Sequence, residues 1–316
     1  MMIETTSLKA FAASLHLDCL GIAPAQLPVP PQAGDIPICP LAAGQGPERY
    51  MPLSVLPECQ SIIVILFPYY GGRDLHANLS QYCRCYDYHP VVHRYLDRII
   101  SYLDAHYPNN RHKAIVDTSP LADRWLAYEA GLGFYGDNHC FFNDTYGSYF
   151  FIGSILTTIP FQPDTPTVKE CRHCGACHAA CPGQCFASGT YDYQLCKSYL
   201  TQKKGSFTLP EQQVMSKTPL IFGCDVCQDV CPLNQTVPLT PLPEFQQDRI
   251  AFLSREELES LSNKQFQKAF GMRAFAWRGK KTLLRNMDCL EGKNGSDGNN
   301  DINAQQDKDA GQENNR

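Results

Sequence analysis

Charge is scarce in this chain. Lys, Arg, Asp and Glu make up only 19% of its 316 residues, and the net charge is -5. That excludes a uniformly basic nucleic-acid binder, though not a local basic patch. No stretch reaches the ~18 apolar residues a spanning helix needs, so no membrane partner is expected. The first residues, MMIETTSLKAFAASLHLDCLG, show no basic leader, no continuous apolar core and no twin arginine. From them a cytoplasmic protein is expected. No GxGxxG follows a strand, and there is neither a Walker A run nor an HExxH. A nicotinamide or flavin Rossmann site therefore has no support. What the chain does have is a 43% hydrophobic content, enough for a real core, and 16 cysteines. In a reducing cytosol so many thiols point to metal binding or catalysis rather than disulfides.

Hydrophobic patterning divides the chain. Leu8, Phe11, Ala12 and Leu15 are spaced for a short helix between Thr6 and His16, and a Pro-rich connector runs from Pro24 to Pro57. The run Ile62 to Phe67, stopped by Pro68, reads as a buried strand. Val91 to Leu103 carries a helical apolar stripe, and Ala114 to Val116 is a second strand ending at Asp117. Ser119, Pro120 and Gly131 mark the cap, first turn and exit of another helix. Tyr149 to Leu156 reads as a strand. This alternation predicts a mixed α and β domain. Prolines 160, 163 and 166 bound it, and a cysteine-dense segment and a helical, basic segment (Leu253 to Met287) follow. The tail from Glu291 to Arg316 holds six acidic and three basic residues and almost nothing apolar. It is expected to be disordered.

The cysteines carry the chemistry. Cys171-x2-Cys174-x2-Cys177-x3-Cys181-Pro182 is the bacterial ferredoxin run, in which three close thiolates hold one [4Fe–4S] cube and the fourth reaches the other cluster. Cys224-x2-Cys227-x3-Cys231-Pro232 is one cysteine short, and Cys196 is the natural replacement, with Cys185 as its rival. By ferredoxin logic one cluster takes Cys171, Cys174, Cys177 and Cys231, and the other takes Cys181, Cys196, Cys224 and Cys227. Two structural zinc sites are the competing reading, but CxxCxxCxxxCP is not a zinc spacing. The other cysteines, Cys140 among them, lack such spacing, and for most of them a buried, inert thiol is the default.

In order along the chain, Tyr86-Asp87-Tyr88-His89, Val116-Asp117-Thr118-Ser119-Pro120-Leu121, Glu129-Ala130-Gly131-Leu132-Gly133-Phe134, Tyr146-Gly147-Ser148-Tyr149, both cysteine motifs and Phe270 to Asn286 resemble the epoxyqueuosine reductase family. The resemblance runs from about Ser54 to Asn286. It implies an α+β protein: a mixed α/β cobalamin-binding catalytic domain (1–160), a ferredoxin-like double [4Fe–4S] domain (161–240), a helical basic segment (241–289) and a tail (290–316). It implies reduction of epoxyqueuosine in tRNA to queuosine, with electrons passing through two [4Fe–4S] clusters to cobalamin. An external flavodoxin- or ferredoxin-type donor would supply a monomeric enzyme. The family's proton donor falls on Asp117, whose carboxyl must be buried to donate at neutral pH. Arg49, Asp87, His89, Asp117, Gly147, Ser148 and Ser198 are the expected cobalamin contacts. One departure is Gly136-Asp137-Asn138, where the family often has Gly-Lys-Asn or Gly-Lys-His. A related corrinoid reductase acting on another substrate, or a non-catalytic electron carrier, are the other readings.

A local basic patch does exist. Between Lys264 and Arg285 there are seven basic residues and no acidic one, with Phe275 and Trp277 among them. Arg273, Arg278, Lys280, Lys281 and Arg285, extended by Lys203 and Lys204, are expected to meet tRNA phosphates and bases. A solvated basic helix is the competing reading.

Overall fold

The computed structural model describes residues 3–30, 38–186 and 190–293. The tail expected from residue 290 lies outside the described residues from 294 onward. At the centre is an antiparallel sheet in the order β1 (Leu20–Pro24), β2 (Ser61–Pro68), β6 (Phe150–Thr157), β3 (His112–Ile115). The register sets Leu20 opposite Ile65, Ser61 opposite Thr157, and His112 opposite Thr157. Strands β4 (Phe134–Tyr135) and β5 (Phe141–Phe142) form a separate ribbon.

The unbroken apolar run of β2 reflects cover on both faces. Every one of its residues is buried. Alternation sends Ile63, Ile65 and Phe67 to the face packed by helices α1 (Thr6–Ser14) and α2 (Tyr88–His106). It sends Ile62, Val64 and Leu66 to the face packed by α3 (Asp123–Glu129). The end of α3 comes so near β1 that a Cβ on Gly21 would stand 2.1 Å from the Ala130 carbonyl oxygen. Gly21→Ala is therefore expected to cost about 1–3 kcal/mol as overpacking. A urea midpoint equal to that of the parent would show that α3 shifts freely. Helix α3 also starts later than expected. Ser119 Oγ accepts from the Leu121 N–H at 3.2 Å and closes a turn around Pro120, and the helix opens only at Asp123.

The cysteine-dense segment holds the short helices α4 (Ala176–Ala180), α5 (Lys197–Leu200) and α7 (Val226–Asp229), together with α6 (Leu209–Ser216). Then come α8 (Pro243–Gln246), α9 (Arg255–Ser260), α10 (Asn263–Phe270) and α11 (Lys280–Leu290). The expected basic helical segment is thus broken into pieces. Ser254 and Ser262 cap α9 and α10, and Gly279, at φ +78°, turns the chain into α11. Phe266, Phe275, Leu283 and Met287 pack with Leu79, Cys83 and Phe222, so these helices are joined to the segment just before α2. Asn286 Nδ2 donates to the Thr201 and Ile221 carbonyls, tying α11 to both sides of the cysteine segment. Among the described residues no helix is long and apolar enough to cross a membrane.

Candidate active site and cluster module

Asp117 follows β3 with φ +53°, a left-handed conformation that short polar side chains tolerate. The kink turns its carboxyl into a cavity of about 1240 Å³. Tyr88, Trp125, Tyr128, Tyr135, Phe150 and Phe151 give this cavity an aromatic wall, and Tyr191 and His178 of the cysteine segment close its far side. Tyr88 Oη donates to Asp117 Oδ2, and His89 Nε2 stands 3.8 Å from the same oxygen. His89 Nδ1 lies 2.7 Å from Asp87 Oδ1, and Asp87 caps α2 by accepting from the His89 N–H at 3.0 Å. Burial of Asp117 was expected from its role. The side chain is instead 64% exposed, because the kinked backbone holds it out from the wall.

The buried acid is Asp123, which sequence reasoning missed. Burial and then the neighbouring Asp117 charge push it up to about 8, against the pull of Arg49, Arg124 and the Asp117 backbone N–H. Its Oδ1 is buried without a hydrogen-bond partner, at the cavity wall. Burial disfavours charge on both Asp87 and His89, but their hydrogen bonds and opposite charges together outweigh it. Asp87 falls below the ordinary carboxylate range, and His89 rises above the ordinary imidazole range, helped by Asp117 and Asp123. The signs follow from linkage. The Asp87 contribution to stability is present above its unfolded value of ~3.9 and lost as pH falls through its depressed folded value. The His89 contribution is present below ~6.5 and lost as pH rises through its elevated folded value. Asp87→Asn is expected to lower the His89 titration midpoint, read by NMR of the ring protons. An unmoved midpoint would show that Asp87 does not set it.

The expected cofactor contacts separate into groups. Arg49 and Asp117 line the cavity, with an Arg49 guanidinium N–H donating to the Gly44 carbonyl at 2.9 Å. Asp87 and His89 stand behind Asp117. Gly147 and Ser148 face the second cysteine motif instead of the cavity. The Ser148 N–H donates to Asn234 Oδ1 at 2.9 Å, and its hydroxyl oxygen accepts from Asn234 Nδ2 and Gln228 Nε2, each at 2.9 Å. Gly147, at φ +55°, leaves the room that Asn234 fills, since a Cβ there would meet Asn234 Oδ1 at 2.0 Å. Ser198 serves through its backbone, with its N–H directed at the Cys196 sulfur.

The cysteines gather in two groups. Cys231 neighbours Cys171 and Cys174, and Cys177 neighbours Cys171. Cys196 neighbours Cys224 and Cys227, and Cys181 joins it through Cys185, whose Sγ lies 3.4 Å from Cys181 Sγ. Backbone N–H groups of residues 183, 184 and 185 point at Cys181, and those of 198 and 199 at Cys196. Thiol-rich loops lined with N–H donors are the surroundings that iron–sulfur clusters take. Cys174 is exposed, so the first group lies toward solvent. The second lies against the cavity wall, where Tyr191 packs with Cys196. Asp137, the departure from the family pattern, reaches the first group: its Oδ1 is 2.8 Å from His173 Nδ1.

The basic residues also divide. Arg273 is 7% exposed, stacks on Tyr86 at 4.2 Å and reaches the Arg84 carbonyl. Arg285 donates to the Lys203 and Gly205 carbonyls at 2.7 Å each, and Lys280 to that of Leu261. Lys203 pairs with Glu211 at 2.5 Å. Phe275 is core, whereas Trp277 is 53% exposed, with the Arg278 guanidinium 3.7 Å above its ring. Arg278, Lys203 and Lys204 line a smaller cavity of about 520 Å³, and Lys281 is exposed.

Comparison with known proteins places this geometry. The family model described as "Epoxyqueuosine reductase QueG, DUF1730" matches residues 49–118, and that of the "4Fe-4S double cluster binding domain" matches residues 170–234. The chain is 36% identical over 251 residues to epoxyqueuosine reductase of Bacillus subtilis (strain 168), covering 76% of this chain but only 64% of that relative. It is 33% identical to the Synechocystis enzyme of that name, covering 69% of this chain and 77% of the relative. A crystal structure of selenomethionine-labelled epoxyqueuosine reductase superposes with a TM-score of 0.81 at 29% identity, covering 90% of this chain and 80% of that one. Another, of epoxyqueuosine reductase with an epoxyqueuosine-modified tRNA-Tyr stem loop, gives 0.80 at 29% identity, with the same coverage. The overall fold is thus shared with these enzymes, and this chain belongs to the epoxyqueuosine reductase family.

Proposed function

We propose that this protein reduces the epoxide of epoxyqueuosine in tRNA, with Asp117 as the acid. Removing the oxygen needs two electrons and two protons. Both C–O bonds break, the carbons become an alkene, and the oxygen leaves as water. The observation that carries the reading is Asp117, turned by its left-handed backbone into a large aromatic cavity that the double cluster segment closes.

Cys171, Cys174, Cys177 and Cys231 would hold the outer [4Fe–4S] cluster, and Cys181, Cys196, Cys224 and Cys227 the inner one. The cavity fits a large cofactor with a flat ring and amide edges, as cobalamin is. Its walls are aromatic, and the unpartnered Asp123 Oδ1 and the Arg49 guanidinium offer polar contacts at the rim. When bound, these groups supply the one-electron chemistry that side chains lack. The chain's own residues do the rest. Tyr88 holds the Asp117 carboxyl in place. His89, whose imidazole Asp87 holds above its ordinary range, stands 3.8 Å from Asp117 as a nearby source from which that carboxyl regains its proton. A cofactor filling the cavity would exclude water from Asp117 and supply the burial that the protein alone does not.

The exposed Trp277–Arg278 stack beside Lys204 and Lys281 supports the tRNA contact, by base stacking and phosphate pairing. Arg273, Lys280 and Arg285 hold the fold that presents it. An external low-potential donor and a cytoplasmic, monomeric state complete the reading. The test is turnover of tRNA bearing the epoxide by anaerobically purified, cobalamin-supplied protein. Loss of one oxygen from the nucleoside, seen by mass spectrometry, is expected. An unchanged nucleoside mass, or failure to take up cobalamin, would overturn the reading.

A further inference from the structure

Helix α3 opens at the cavity. The Ala122 N–H donates to the Arg49 carbonyl at 3.0 Å, and the Trp125 and Leu126 N–H groups donate to the Ala122 carbonyl at 2.8 and 3.0 Å. Leu126 is fully buried beneath them. The first turn is therefore fixed, and its first residue, Asp123, stands in the cavity wall that Asp117 also lines. Four charged or titratable groups face Asp123. Asp117 comes from the turn after β3, Arg49 from the segment before β2, Arg124 from α3 itself and His89 from α2. Yet Asp123 Oδ1 is closed off from solvent and has no hydrogen-bond partner. A carboxylate oxygen in that position is costly, and such a group takes up a proton instead. Burial and the Asp117 charge outweigh the two arginines and push Asp123 up to about 8. At pH 7 it is a neutral acid, in the same cavity as an Asp117 that is largely open to solvent.

The reduction consumes two protons, and one carboxyl holds one. Opening the epoxide puts the first on the oxygen, as a hydroxyl. That hydroxyl leaves as water only when a second proton reaches it. We propose that Asp123 is the second acid of this cavity and supplies that proton. The inference rests on the epoxide reduction proposed above, whose external donor provides both electrons. The O–H bond of Asp123 breaks as the second C–O bond does, water and the alkene form, and Asp123 is left as a carboxylate that regains its proton from solvent once the product has gone. Transfer is direct or through one water. The nearness of a like charge has a use here. Once Asp117 has ionised, its charge holds the proton on Asp123 until an oxygen basic enough to take it is present. An acid that titrates near the working pH suits this step.

The test uses the full-length protein in two arms. Infrared spectra of the cobalamin-free parent minus those of Asp123→Asn should show a protonated carboxyl band at pH 7 that vanishes as pH rises through about 8. Absence of that band would overturn the proposal. In the second arm, cluster-bearing, cobalamin-loaded protein is given tRNA bearing the epoxide over a range of pH. The parent should lose rate as pH rises through about 8. Asp123→Asn should be about 10²-fold slower below that pH and lack the alkaline limb, with iron content, cobalamin uptake and unfolding midpoint unchanged. Asp123→Glu should restore the limb and part of the rate. An Asp123→Asn variant that keeps the limb, whether fast or slow, would overturn the proposal and leave the epoxide reduction standing. A parent that leaves the epoxide intact would overturn that reduction instead.

Discussion

Asp117→Asn is expected to slow turnover of epoxide-bearing tRNA by about 10²–10⁴-fold, the usual worth of a positioned general acid. Iron content and unfolding midpoint should stay unchanged. The substitution is nearly isosteric, and Asn is among the few residues that accept the positive φ found here. Its amide oxygen can still accept from Tyr88, as Asp117 does. What it cannot do is release a proton to the departing oxygen. A variant turning over at the parent rate would show that the proton comes from elsewhere, with Asp123 the first place to look.

The second large effect concerns iron. Cys181 lies in the first motif by sequence, yet its sulfur groups with Cys196, while Cys231 of the second motif groups with Cys171 and Cys174. Removing either cysteine should cost one cluster, about four of eight irons. The residual EPR spectra discriminate further. Cys181→Ala should match Cys224→Ala, and Cys231→Ala should match Cys171→Ala. Pairing by motif, with Cys181→Ala matching Cys171→Ala, would show that each run binds its own cluster.

Much of this was legible in the sequence. The apolar run of β2, the stripe of α2 and the paired cysteine motifs all carry short-range patterns, and short-range patterns can be read directly. The failures share a cause, which is a partner distant in sequence. Gly147 and Ser148 read as making room for a cofactor, but it is Asn234 that comes close. Arg273 and Arg285 read as phosphate contacts, but the Tyr86 and Phe207 rings take their guanidinium groups. Asp123 was passed over because Ser119-Pro120 is a strong helix-start signal, which here closes a turn. Cys185 lacks motif spacing, and only the fold brings its sulfur to that of Cys181. The expected burial of Asp117 followed from its chemistry, whereas a pocket wall gives burial only once the pocket is filled.

The strand order has a consequence for how the chain comes to be folded. Strand β6 pairs with both β2 and β3, so two of the three ladders in the central sheet wait for it. Until residue 157 has left the ribosome, the most apolar strand of the protein has β1 on one edge and nothing on the other. Such non-local pairing slows folding and prolongs exposure of a sticky edge. Chaperone supply and a lowered growth temperature should therefore govern soluble yield more than any single surface residue.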